Sequence, residues 1–218
     1  AIDFRKTLDI PKEAFVSLFM FDMRSTLNRK NPQATVEAFS QFAKGKKDAY
    51  LILKVNRWQR DVHESLQWLP KSENIKIVKE TLSPAQLTDL YEASNCYISL
   101  HRSEGFGRTL VEALQHGLWL ISCKYSGPAD FLTNQNTHLV SWEPKTVHKG
   151  DYPHNTHSTW AEPSVAETVV QLEKLYVQHQ QNLGKKTKRN QAGIETGKQF
   201  TLQALAEKYR PILMSYLR

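Results

Sequence analysis

Cysteine is nearly missing from this chain. Its 218 residues hold two, Cys96 and Cys123, so no disulfide framework can carry the fold. Both sit in apolar runs and read as reduced packing residues, which points to a reducing, cytoplasmic setting. Glycine and proline number nine each, too few for a collagen-like or low-complexity chain. Long apolar runs are lacking as well. The longest, residues 14–21, is broken by Ser17 and is far too short to cross a bilayer. Nothing here resembles a charged-then-apolar leader with a small-residue cleavage site. Zinc-finger spacing, aromatic RNA-binding signatures, heptads with a basic arm and internal repeats are also absent, so nucleic acid is not an expected partner.

What remains is an ordinary globular composition, 40% hydrophobic and 23% charged, with an excess of positive charge. Lys and Arg total 29 against 22 Asp and Glu, a net +7. A basic surface attracts anions such as phosphorylated ligands or acidic lipid headgroups, and it would suit a peripheral contact with an anionic membrane. Part of the excess lies in Lys185-Lys-Thr-Lys-Arg189, which reads as a solvated loop.

Apolar runs rich in strand formers predict strands at 16–21, 49–55, 74–78, 96–100, 118–122 and 138–140. Between them, helical periodicity appears at 32–42, 62–69, 83–91 and 106–116, and Gly127-Pro128 opens a short helical turn. Pro32 and Pro84 sit where a first helical turn tolerates proline, with Ser83 as a cap. Strands apolar on both faces, alternating with helices, indicate an α/β fold: a doubly wound, Rossmann-like parallel sheet of about six strands. The pattern then stops, predicting a structureless loop over 141–163. Two long amphipathic helices are expected over 164–183 and 196–217, the second kinked or interrupted at Pro211.

The chemistry concentrates in Ser103-Glu-Gly-Phe-Gly-Arg-Thr-Leu-Val-Glu-Ala113, which follows a strand and opens a helix. Ligands of open α/β sheets bind at the carboxyl ends of strands. Glycines there admit a phosphate to the backbone, and a helix N-terminus offers unpaired N–H groups. Gly105, Phe106, Gly107 and the amides of Arg108, Thr109 and Leu110 therefore form a candidate diphosphate cradle. Glu104 would face whatever the diphosphate carries, and Glu112 a ribose diol. The third glycine of a dinucleotide fingerprint is missing, as is the Gly-Lys-Ser/Thr of a P-loop, which disfavours both.

Glu104 to Glu112 resembles the Glu-x7-Glu motif of retaining GT-B glycosyltransferases of family 4. Residues 87–99 resemble that family's helix-then-strand lead-in, and His116-Gly-Leu-Trp-Leu-Ile-Ser122 the strand that follows. Gly127-Pro-Ala-Asp130 resembles its Gly-x-x-Glu segment with Asp in place of Glu. Arg29-Lys-Asn-Pro32 resembles the Arg-Lys-Asn-Pro variant of its Lys-Gly signature, and Trp160-Ala-Glu-Pro163 resembles a bacterial subgroup. Phe21-Asp22 and Trp119 depart from the usual Gly-Arg and Pro, as in a divergent subgroup. The resemblance covers residues 14–183.

The resemblance implies that residues 1–218 form the nucleotide-sugar-binding C-terminal half of a GT-B enzyme. The acceptor half would be absent and the isolated fragment inactive. Glu104 would be the catalytic carboxylate at the donor sugar, and Glu112 would bind the ribose. Lys30, with Arg24 or Arg29, would neutralise the diphosphate without a metal or other cofactor. The base would rest near Lys79, Glu80 and Leu82. Partners would be a nucleotide sugar, the missing acceptor domain and a glycan or lipid-linked acceptor in bacterial surface polysaccharide synthesis. A non-catalytic nucleotide-sugar-binding module is the alternative, with an epimerase or phosphorylase further off. His101 could contact phosphate or simply pack. His148, His154 and His157 lack metal-site spacing. Trp142, Tyr152 and Trp160 read as loop anchors rather than groove lining.

Overall fold

The computed structural model describes residues 1–58, 66–153, 158–184 and 189–216. Six strands form one parallel sheet: β1 (Phe15–Asp22), β2 (Ala49–Asn56), β3 (Ile75–Val78), β4 (Cys96–Ser99), β5 (Trp119–Cys123) and β6 (Thr137–Val140). Their order is β3-β2-β1-β4-β5-β6, the doubly wound order expected of a Rossmann-like sheet. β1 is central and pairs with β2 from Phe15↔Ala49 and with β4 from Ser17↔Cys96.

The period-two geometry of a strand splits β1 between two cores. Phe15, Phe19 and Phe21 enter one, packed under α3 (Pro32–Phe42) and α6 (Val165–Gln181). There Phe15, Phe42 and Tyr176 meet edge to face at 5.7–6.0 Å. Val16, Leu18 and Met20 enter the other, with residues of α4 (Pro84–Glu92) and α5 (Arg108–Gln115). Burial on both faces is why these strands read as unbroken apolar runs. Cys96 and Cys123 are buried free thiols. Before β1, Asp3 caps a single turn, α1 (Phe4–Thr7), which buries Phe4; the sequence reading had no element there.

Two expectations need correction. Residues 141–163 are not structureless. β7 (Trp142–Thr146) and β8 (Thr159–Pro163) pair antiparallel as a hairpin, from Trp142↔Pro163 to Thr146↔Thr159. Every residue of β7 is exposed, so no apolar alternation marks it. The tail is also divided differently. α7 (Gln191–Lys198) and α8 (Leu202–Ser215) are separate helices, and the break falls before Thr201, whose hydroxyl caps α8 by accepting from the Ala204 N–H. Phe200 turns inward at this break, against Phe106 and Phe131 at 5.3 and 5.4 Å. Pro211 lies inside α8 without ending it. No residue of α8 is buried, so water can satisfy the carbonyl that proline leaves free. Residues 62–65 of the expected helix at 62–69, the basic run 185–188, and His154 and His157 lie outside the described residues.

Candidate functional site

β1 and β4 are neighbours whose chains depart to opposite sides of the sheet. Their carboxyl ends therefore diverge, opening the crevice where ligands of such sheets bind. The loop after β1 carries a one-turn helix, α2 (Leu27–Lys30). It ends at Asn31, which is buried and left-handed at φ 54° and donates its side-chain amide to the Leu100 carbonyl at 3.0 Å. Asparagine tolerates this conformation better than most residues. The reversal brings Arg29 and Lys30 to the loop after β4. Arg29 Nη1 donates to Ser103 O at 2.9 Å and lies 3.3 Å from Glu104 Oε2, which also accepts from Lys30 Nζ.

Glu104 is held from behind by Ser126 and Gly127. The Glu104 N–H donates to Ser126 Oγ at 2.8 Å, Ser126 Oγ bonds Glu104 O at 2.9 Å, and the Gly127 N–H donates to the same carbonyl at 3.0 Å. Ser126 adopts φ 53° to do this, a strained conformation for a side chain that is not Gly, Asn or Asp. Gly107, at φ 89°, is the residue before α5, and a Cβ there would lie 3.1 Å from both Leu110 and Pro128. Its left-handed turn starts the helix two residues later than the sequence suggests. The N–H groups of Gly105 to Thr109 find no acceptor among the described residues. Phe106 is exposed beside them, with its ring against Phe131 and Phe200.

Electrostatics keep Glu104 ionised. Burial pushes its pKa up, but the Lys30 hydrogen bond and the charges of Lys30 and Arg29 outweigh that and hold it below the usual range. His101 lies just before this loop, buried, with Nδ1 3.0 Å from Ser99 Oγ. Burial brings its pKa down to about 4, against the pull of Glu104, so the imidazole is neutral at pH 7. A folded pKa below the unfolded 6.5 means that unfolding takes up a proton between those values. Stability should therefore fall as pH drops from 6.5 toward 4, by about 3 kcal/mol from His101 alone. Urea melts across this range check it, and a His101→Asn variant should show a flatter profile.

Glu112 stands in the second turn of α5. It accepts from the Tyr91 hydroxyl at 2.8 Å, and Arg108 Nε lies 3.3 Å away. Burial first, and Glu112 among other groups, raise the Tyr91 pKa, so this phenol stays a donor. The other candidates are more scattered. Arg24 is exposed, and its backbone N–H is tied to Asp22 Oδ1; among the described residues its guanidinium makes no ion pair. Lys79 and Glu80 are exposed at the end of β3, on the far side of β2 and β1 from Glu104, and Leu82 is half-buried. Lys79 Nζ sits 4.2 Å over the Trp58 ring. Trp160 is buried, Trp142 and Tyr152 exposed. Among the described residues no group of three or more His, Cys, Asp or Glu could hold a metal, and no helix is long and apolar enough to cross a membrane. Sequence reasoning missed Asn31 and Ser126 as shaping residues. The only hint in the sequence is the residue type at 31, since asparagine tolerates left-handed backbone better than most.

A family model for glycosyl transferases group 1 matches residues 3–147. The chain belongs to this family. In fold, this group 1 glycosyltransferase chain is similar to the C-terminal domain of the group 1 glycosyl transferase LpcC from Francisella tularensis. The TM-score is 0.61 at 18% identity, over 89% of each chain. It is also similar to sucrose-phosphate synthase from Thermosynechococcus elongatus (TM-score 0.67, 14% identity, 99% of this chain and 48% of that one). Anabaena HepE, solved with UDP-glucose, is similar at TM-score 0.65 and 15% identity, over 97% of this chain and 51% of HepE. The glycosyltransferase chain spans 36% of its match in the GtfA/B complex, so it corresponds to a third to a half of most of these proteins. At such identities the likeness shows the fold, a GT-B half-domain. No curated protein sequence matches it.

Proposed function

We propose that this chain is the donor-binding half of a retaining, metal-independent glycosyltransferase that uses a nucleotide diphosphate sugar. The convergence of Arg29 and Lys30 on Glu104, beside the unpaired amides of Gly105 to Thr109, carries this reading. A departing nucleoside diphosphate gains negative charge as the glycosidic bond breaks. Two cations and a helix N-terminus can stabilise that charge where it develops. Binding the diphosphate draws Arg29 and Lys30 partly off Glu104, freeing the carboxylate to accept hydrogen bonds from the donor sugar. Glu112, already polarised by Tyr91, would accept from the ribose hydroxyls, and the base would lie toward Lys79, Glu80 and Leu82. Neutral His101 supports the loop from beneath.

The resemblance supports a role in bacterial surface polysaccharide synthesis, at the cytoplasmic face and in peripheral contact with the membrane through the basic surface. Acceptor-side groups, for a glycan or lipid-linked acceptor, would come from a second domain, in keeping with the fraction of its neighbours that this chain spans. Calorimetric titration with GDP, UDP and ADP tests the reading. One nucleotide should bind, and Glu112→Ala should weaken it at least roughly tenfold by removing hydrogen bonds to a charged group. Equal affinity of the variant, or no binding by any nucleotide at millimolar concentration, would count against it.

A further inference from the structure

We propose that the β7–β8 hairpin belongs to the binding machinery: Glu162, acting through Arg102, is a positioning residue that aims Arg29 and Lys30. This rests on the reading of that pair as diphosphate ligands. α2 has four residues, none buried, and no side-chain cap. A single helical turn of that kind cannot hold itself in water. Its orientation must come from outside.

Arg102 supplies the grip. Its backbone N–H donates to Arg29 O at 2.8 Å, and its Nη1 donates to Asn28 O at 2.6 Å. Those are the carbonyls of the peptide units that lead directly into Lys30 and Arg29. The rest of the guanidinium is taken by Glu162 on β8, with Nε and Nη2 donating to the two carboxylate oxygens at 2.9 Å each. A two-point fork fixes the plane of the guanidinium as well as its distance. The Ala161 N–H donates to Arg102 O at 3.0 Å, joining the hairpin to the same residue through the main chain. Asn31 Nδ2 reaches Glu162 Oε1 at 3.4 Å, and Lys145 of β7 bonds the other oxygen. A second hold comes from Asp151, between the two strands, which accepts from Asn28 Nδ2 at 2.9 Å. A cavity of about 180 Å³ lined by Leu27, Asn28, Gln33 and Trp68 adjoins α2, so the turn has room to shift when the grip is lost.

The test uses Glu162→Gln, which keeps the shape and loses the charge, and Arg102→Lys, which keeps the charge and loses the fork. The first readout needs no nucleotide: the titration of the Glu104 carboxyl followed by carbon NMR. If Glu162 aims Arg29 and Lys30, the Glu104 midpoint moves up in both variants while circular dichroism stays unchanged. An unmoved midpoint in folded variants overturns the proposal, because the ion pair then serves the hairpin alone. Should Glu162→Gln fail to fold, Arg102→Lys supplies the reading. The second readout is calorimetry with a nucleoside diphosphate and with the nucleoside alone. Affinity for the diphosphate should fall roughly tenfold and that for the nucleoside should not change. A shifted Glu104 midpoint with no nucleotide bound even by the parent chain would support the positioning role and refute the donor-binding reading instead.

Discussion

Gly127→Ala is expected to lower stability by about 3 kcal/mol and to abolish nucleotide binding. A Cβ at 127 would lie 1.9 Å from Gly105 O, 2.5 Å from its carbonyl carbon and 3.0 Å from Glu104 O. All three are backbone atoms, so no rotamer change can relieve the clash, and overpacking of this kind costs 1–3 kcal/mol or more. The bond from the Gly127 N–H to Glu104 O is lost with it. In a chain of this size the melting temperature should drop by roughly 6–12 °C. Gly105→Ala is the matched control, because a Cβ there meets nothing within 4 Å. Its melting temperature should stay close to the parent value. Equal melting temperatures for parent and Gly127→Ala would show that the Glu104 loop is not clamped as described.

Lys30→Ala should have the largest effect on binding among variants that leave the fold intact. Lys30 and Arg29 are both largely shielded from solvent, with 17% and 18% of their side chains exposed. Removing one leaves the diphosphate short of a desolvated cation, a loss of about 1.5–3 kcal/mol for a charged hydrogen bond. Affinity for a nucleoside diphosphate should fall roughly 10- to 100-fold, with little change for the nucleoside. Arg29→Ala should follow the same pattern, whereas Arg24→Ala should match the parent because Arg24 is exposed and, among the described residues, only Arg29 and Lys30 pair with Glu104. Calorimetry on the three variants decides the matter. A loss in Arg24→Ala equal to that in Arg29→Ala would assign the diphosphate to the wrong arginine.

The sheet and its helices were legible because burial on both faces writes itself into composition. Residues 49–55 and 96–100 read as strands for the same reason that Leu51, Leu53 and Ile98 are buried. The Glu104–Glu112 segment was legible because Gly105 and Gly107 stand between a strand and a helix, and Gly107 takes the left-handed φ of 89° that favours glycine. The hairpin was not, since every residue of β7 is exposed and the strand is held by main-chain pairing, by Lys145–Glu162 and by the single ring contact of Trp142 with Tyr125, none of which leaves an apolar alternation. That Arg29 rather than Arg24 lies beside Glu104 was equally hidden. It depends on a chain reversal at Asn31, a property of one residue's dihedral angles. Pro211 does not interrupt α8, because no residue of that helix is buried and water can reach the carbonyl that proline leaves free.

The placement of β1 at the centre of the sheet has a kinetic side. β1 is the first strand of this sheet to be made, and β2, about 26 residues later, covers one edge. Its other edge waits for β4, and the join is sealed by Asn95, whose N–H donates to Val16 O and whose Oδ1 accepts from the Val16 N–H, each at 2.8 Å. About 40 residues separate the end of β2 from β4. A ribosome adding about 5–20 residues per second needs ~2–8 s for that stretch. Throughout it this buried, largely apolar strand presents an open row of amides and carbonyls, the same groups through which unfinished chains find one another.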